Sequence, residues 1–107
     1  MNFTAWLVFI AAALLEVGGD ATIRHGLRSK GALLIVAGFV VLGMYGVVVN
    51  TVKWDFSRLL GVYVAVFALV SVLWGKFVFK EQIAPTTWFG LVPIVIGGLI
   101  IQFGQAR

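Results

Sequence analysis

Apolar residues run almost without interruption through four stretches of this chain, at about residues 3–23, 31–52, 59–79 and 86–104, and the polar residues gather in the short segments between them. Each run is close to the roughly 20 residues that a helix needs to cross a bilayer. The runs are continuous rather than alternating, so they read as helices: in lipid, only bonds within the segment can satisfy the backbone of so long an apolar stretch. The pattern predicts an all-α fold, an integral membrane bundle of four transmembrane helices forming one transmembrane domain over residues 1–107. The opening run from Met1 to Ala13 has no basic leading segment and continues through a glutamate, so it reads as the first span rather than as a secretory signal.

The connections carry the charge. Arg24, His25, Arg28 and Lys30 close span one, and Lys53-Trp54-Asp55-Phe56-Ser57-Arg58 joins spans two and three with the mixture of charged and aromatic residues expected at a membrane surface. Lys80, Glu81, Gln82 and Pro85 form the third connection, with Thr86 or Thr87 expected to cap span four. Pro93, inside that span, is expected to kink it and leave a carbonyl near residue 89 without its helical partner. One membrane side carries Arg24, Arg28, Lys30, Lys76 and Lys80, the other Lys53, Arg58 and Arg107. This bias toward cytoplasmic first and third connections is weak and leaves insertion in both orientations open.

Composition sharpens the picture by exclusion. Hydrophobic residues make up 62% of the chain, charged residues 11%, and the mean hydropathy is +1.09, outside the range of soluble globular domains. With no cysteine, one histidine at a span edge, no cluster of metal-ligand residues and no phosphate-binding loop, the chain offers neither an enzyme's machinery nor a cofactor site. The pI near 10 comes from basic residues scattered singly and in pairs at span ends, a distribution that suits lipid headgroups and not nucleic acid.

Glycine spacing adds a packing signal. Gly90, Gly97 and Gly104 repeat at intervals of seven in span four, and Gly31 and Gly38 share that interval in span two. Small residues so spaced share a helix face and admit a second backbone closely, which matters where lipid supplies no hydrophobic drive between helices. In span two this reads as packing within the bundle; in span four it reads as a subunit interface.

One residue stands apart. Glu16 follows Phe3 by 13 positions, roughly 20 Å along the helix with about 12 Å left to Arg24, which is close to mid-membrane. Insertion scales put the cost of charged residues at that depth at roughly 2.5 to 3.5 kcal/mol. Such a cost favours the neutral acid and would let the group exchange protons near neutral pH, while a nearby cation would favour the ionised form. Protonation and cation binding would then compete for one carboxylate, the physical basis of proton-coupled exchange. A structural glutamate paired with a polar group of another span is the competing reading. Asn50, Tyr45, Tyr63, Ser71 and Lys76 are the available partners, Lys76 the strongest of them. Asp20 and Arg24 follow Glu16 at intervals of four, with Phe9, Ala12 and Ala13 continuing the stripe inward. The stripe reads either as a polar track to the acid or, for Asp20 and Arg24, as an ordinary ion pair at the interface. A single four-helix unit is too thin to enclose a solute path. Two copies would suffice, and in opposite orientations they would form the inverted repeat that larger transporters encode in one chain.

The segment Ala12-Ala13-Leu14-Leu15-Glu16-Val17-Gly18-Gly19, with Gly61-Val62-Tyr63-Val64, Leu73-Trp74-Gly75, Trp88-Phe89-Gly90 and Gly97-Gly98-Leu99-Ile100 in that order, resembles the small multidrug resistance family, and more closely its YnfA-type branch within the drug/metabolite transporter superfamily. The resemblance implies a homodimeric, proton-coupled exporter of small cationic or lipophilic compounds in a bacterial inner membrane. The resemblance centres the shared proton and substrate site on Glu16 and matches Gly90 and Gly97 to the dimer face. Taken with the stripe and the glycine spacing above, the candidate site is Glu16 with Asp20, Ala12, Gly19, Tyr63 and Phe56, and Gly104 joins Gly90 and Gly97 at the candidate dimer face. The chain also departs from the pattern. Phe56 and Leu59 stand where the family's third span opens with a tyrosine and a second aromatic, Asp20 adds an acid, and Arg58 is unexpected. These departures weigh against aromatic drug cations and toward a smaller or more polar cation, or toward activity with a partner. The alternatives to an antiporter are a nontransporting membrane partner or regulatory subunit, and a flippase of lipid-linked substrates.

Overall fold

The computed structural model describes residues 3–104 and contains four helices: α1 (Phe3–Ser29), α2 (Ala32–Val49), α3 (Phe56–Phe77) and α4 (Pro85–Phe103). All four are long and apolar enough to cross a membrane. They are arranged as two helical hairpins, one within Met1–Val52 and one within Lys53–Arg107. Arg107, counted above toward membrane orientation, lies outside the described residues.

In the first hairpin, α1 continues to Ser29, six residues beyond the expected end of span one. Arg24 and Arg28 do not interrupt it, because cations near a helix C-terminus suit its exposed carbonyls. The end is set by backbone geometry. Lys30 takes φ 57°, and the Gly31 N–H reaches back to the Gly26 carbonyl at 2.8 Å, the reverse-turn closure known as a Schellman motif. A lysine in the left-handed region crowds its own carbonyl, whereas glycine does not. Lys30→Gly is therefore expected to stabilise the hairpin, by up to about 1 kcal/mol, read as a higher midpoint in denaturant titration. The hairpin then closes on glycine. A Cβ placed at Gly19 would lie 3.2 Å from the Gly38 carbonyl oxygen, and one at Gly38 would lie 2.9 Å from the Gly19 oxygen and would overlap Ile23 Cγ1. The two backbones thus meet at Gly19 and Gly38; of the two glycines spaced by seven in span two, Gly38 packs within the hairpin, while Gly31 is the N-cap of α2. Elsewhere α2 exposes Leu33, Phe39 and Val47, an apolar exterior suited to acyl chains.

The second hairpin has the same logic with different residues. A Cβ at Gly98 would lie 2.6 Å from Ala65 Cβ, and one at Gly61 would lie 2.8 Å from Ile101 Cδ1. α3 and α4 therefore approach each other through Gly98 and Gly61. The start of α4 corrects one expectation: its N-cap is Ala84 and Pro85 occupies the first turn, with no side-chain cap, while Thr86 and Thr87 lie inside the helix. Proline's fixed φ suits the first helical position, where its missing N–H costs nothing. Helix α4 runs unbroken through Pro93. Two hydroxyls within the spans donate to their own helix, that of Thr22 to the Gly18 carbonyl and that of Ser71 to the Ala68 carbonyl.

Candidate functional site

The buried positions of α1 decide where Glu16 points. Ala5, Phe9, Ala12 and Ala13 are all at most 2% exposed. Glu16 follows Phe9 by seven residues, Ala12 by four and Ala13 by three, so it extends that buried stripe by one turn. It is half-buried. Gly19, three residues beyond Glu16, brings α2 close. From α2, the Tyr45 phenol lies within electrostatic reach of the Glu16 carboxyl. An acid and a hydroxyl thus share one end of the α1–α2 crossing. Asp20, the next turn of the stripe, is exposed, as are Arg24 and His25. The face therefore grades from sealed alanine through a partly covered acid to an open one.

The Asn50 amide donates to the Gly46 carbonyl at 2.7 Å, closing the end of α2. Ser71 is engaged within α3. Lys76 is exposed, with its ammonium 5.7 Å from the ring centroids of both Phe77 and Trp88. In the second hairpin Tyr63 is 3% exposed and packs its ring 6.3 Å from that of Phe67. Phe56, the first residue of α3, is 70% exposed.

The glycines of α4 divide into two faces. Leu91, Gly98 and Gln102 form its buried stripe. Gly90 and Gly97 lie on the adjacent face, where an added Cβ would meet nothing within 4 Å. Gly104 differs from both, since it is the C-cap of α4 and its Cβ would meet the Ile100 carbonyl oxygen at 2.6 Å. The sequence reading did not single out Gln102. It is 7% exposed and accepts a 2.9 Å hydrogen bond from Arg58 Nη2. The only signal was a polar residue at the buried spacing of α4, seen once Leu91 and Gly98 define that stripe.

These features define a multi-pass, all-α membrane protein with an acid set into the protein-facing side of its first helix. Residues 3–107 match the family described as "Uncharacterised BCR, YnfA/UPF0060 family", and the chain belongs to it. Relatives include a UPF0060 membrane protein of Saccharopolyspora erythraea, 39% identical over 91% of this chain and 90% of its own length. Another, from Streptomyces avermitilis, is 44% identical over 92% of this chain and 83% of its own. A third, from Staphylococcus carnosus, is 38% identical over 89% and 90%. The resemblance to the YnfA-type branch, drawn above from short motifs in order along the chain, is thereby established at the level of the family. No solved structure matches the chain.

Proposed function

We propose that the protein is a proton-coupled exporter of small cations that works as a homodimer, with Glu16 as the group shared between proton and substrate. The observation that carries this reading is the placement of Glu16 on the buried stripe of a spanning helix, half covered and one turn from the exposed Asp20. A carboxyl so placed is expensive to ionise alone, and either a proton or a cation relieves the cost. Each therefore displaces the other. Asp20 attracts a cation to the mouth of the site, and Tyr45 offers a hydroxyl beside the acid. Pairing of two copies through the open face of Gly90 and Gly97 would enclose the path that one copy is too thin to surround.

The direct test is proton release. Purified protein in weakly buffered detergent, held at a pH where Glu16 is protonated, is expected to release protons when a bound cation is added and to take them up when it is removed. A screen of small primary, quaternary and guanidinium cations without any release would end the reading. Asp20→Asn is expected to preserve coupling while raising the half-saturating cation concentration several-fold. Such a change reports capture rather than exchange and is measured in the same titration.

A further inference from the structure

Arg58 has no place in the exchange mechanism, yet its guanidinium is held by two separate contacts. Its guanidinium carbon lies 3.9 Å from the centroid of the Trp54 ring, and its Nη2 donates to Gln102, itself buried on α4. Stacking on an aromatic face and a hydrogen bond in the guanidinium plane fix both tilt and rotation. Among the described residues, the contacts to this cation are thus an aromatic face and a neutral amide, with no carboxylate among them. Its Nε is sealed from solvent and has no hydrogen-bond partner. Asp55, one turn earlier, is exposed and directed to no cap. The side chain as a whole stays partly exposed.

The location supplies the missing counter-charge. Arg58 sits in the first turn of a spanning helix, two residues after the exposed Phe56 and five after the exposed Lys53, where the chain passes from polar connection to apolar span. Headgroup phosphates lie at that level of a bilayer. A guanidinium held in one plane matches a phosphate's oxygens better than a mobile ammonium does. We infer that Arg58, backed by Trp54 and Gln102, is a binding site for the phosphate of an anionic phospholipid at the end of the second hairpin. This does not depend on the exporter reading.

The test counts lipid. The full chain is reconstituted in nanodiscs of phosphatidylcholine and phosphatidylglycerol in equal amounts, then released, and the lipids retained on the protein are read by native mass spectrometry. The wild type is expected to retain phosphatidylglycerol over phosphatidylcholine at least fivefold, and Arg58→Gln is expected to lose that preference. Arg28→Gln, which removes one charge from the exposed end of α1, is expected to keep it. Arg58→Lys preserves the charge and decides the matter if the glutamine variant does not fold, with at least a threefold loss of preference expected. Unchanged preference in a folded Arg58→Gln, or in Arg58→Lys where that variant decides, would overturn the site, as would an equal loss in Arg28→Gln. Inorganic phosphate that stabilises the detergent-solubilised protein against heat as well as phosphatidylglycerol does would replace the lipid with a free anion.

Discussion

Glu16→Gln is expected to reduce cation-driven proton movement in proteoliposomes to the level of protein-free vesicles, while leaving the chain folded. The amide keeps the shape of the acid and removes both of its relevant states, the proton it could release and the negative charge it could offer a cation. If exchange depends on competition for this one group, no slower residual route remains in the α1–α2 hairpin, because a phenol is intrinsically a far weaker acid than a carboxyl and Asp20 stands at the open end of the stripe. Glu16→Asp retains the carboxyl with a shorter reach, so partial activity with altered cation preference is expected. Stability separates this reading from a structural glutamate. Removing one member of a buried ion pair typically costs about 3 to 5 kcal/mol because the partner charge is stranded, whereas exchanging an intramembrane acid for its amide beside neutral groups strands no charge and relieves the cost of carrying one. An unfolding midpoint for Glu16→Gln at or above that of the wild type, together with lost proton movement, is the expected pair of results. A lowered midpoint with intact transport would assign Glu16 to the scaffold.

Those elements whose physics is local to a segment were legible from the chain itself. Four long, continuous apolar runs read as helices in lipid, and Glu16, the deeper of the two acids in the first run, is conspicuous wherever the helix faces. The helix ends were less legible. The basic residues from Arg24 to Lys30 suggest a stop, yet charge does not end a helix, and the turn at Lys30 depends on a backbone conformation that lysine rarely adopts. Pro85 was placed in the connection, although its ring geometry is that of a helix's first turn. Side chains that act across a hairpin were the least visible. Arg58 and Gln102 are 44 positions apart, and nothing in the local pattern links them. The same holds for the choice among neighbouring glycines: Gly97 and Gly98 look alike in sequence, but only Gly98 faces Ala65 within its hairpin.

The site and the scaffold therefore meet at the helix crossing. Gly19 lies three residues beyond Glu16 on α1, and Tyr45 lies seven beyond Gly38 on α2. The distance between acid and hydroxyl is set by how closely the two backbones approach where Gly19 and Gly38 touch.

Gly38→Leu is accordingly expected to destabilise the first hairpin by about 2 to 3 kcal/mol, near the upper end of the cost of overpacking a close contact. Even the first carbon of the new side chain would overlap Ile23 Cγ1 and stand 2.9 Å from the Gly19 carbonyl oxygen and 3.1 Å from the Ile23 nitrogen. Ile23 can change rotamer; the backbone atoms cannot move without separating the helices. Lipid does not offset that separation, since acyl chains attract an exposed helix face about as well as another helix does, and close backbone approach is the main source of association. Gly43→Leu is the matched control. It adds the same side chain to the same helix at a position where a Cβ meets nothing within 4 Å, so a change within about 1 kcal/mol is expected. The comparison is made by unfolding both variants in a graded mixture of mild and denaturing detergent, with helicity as the signal. Equal losses would mean that the crossing is not where the hairpin is held. A selective loss in Gly38→Leu should bring a second effect, weaker proton release on cation addition under conditions where the variant is still folded, because widening the crossing carries Tyr45 away from Glu16.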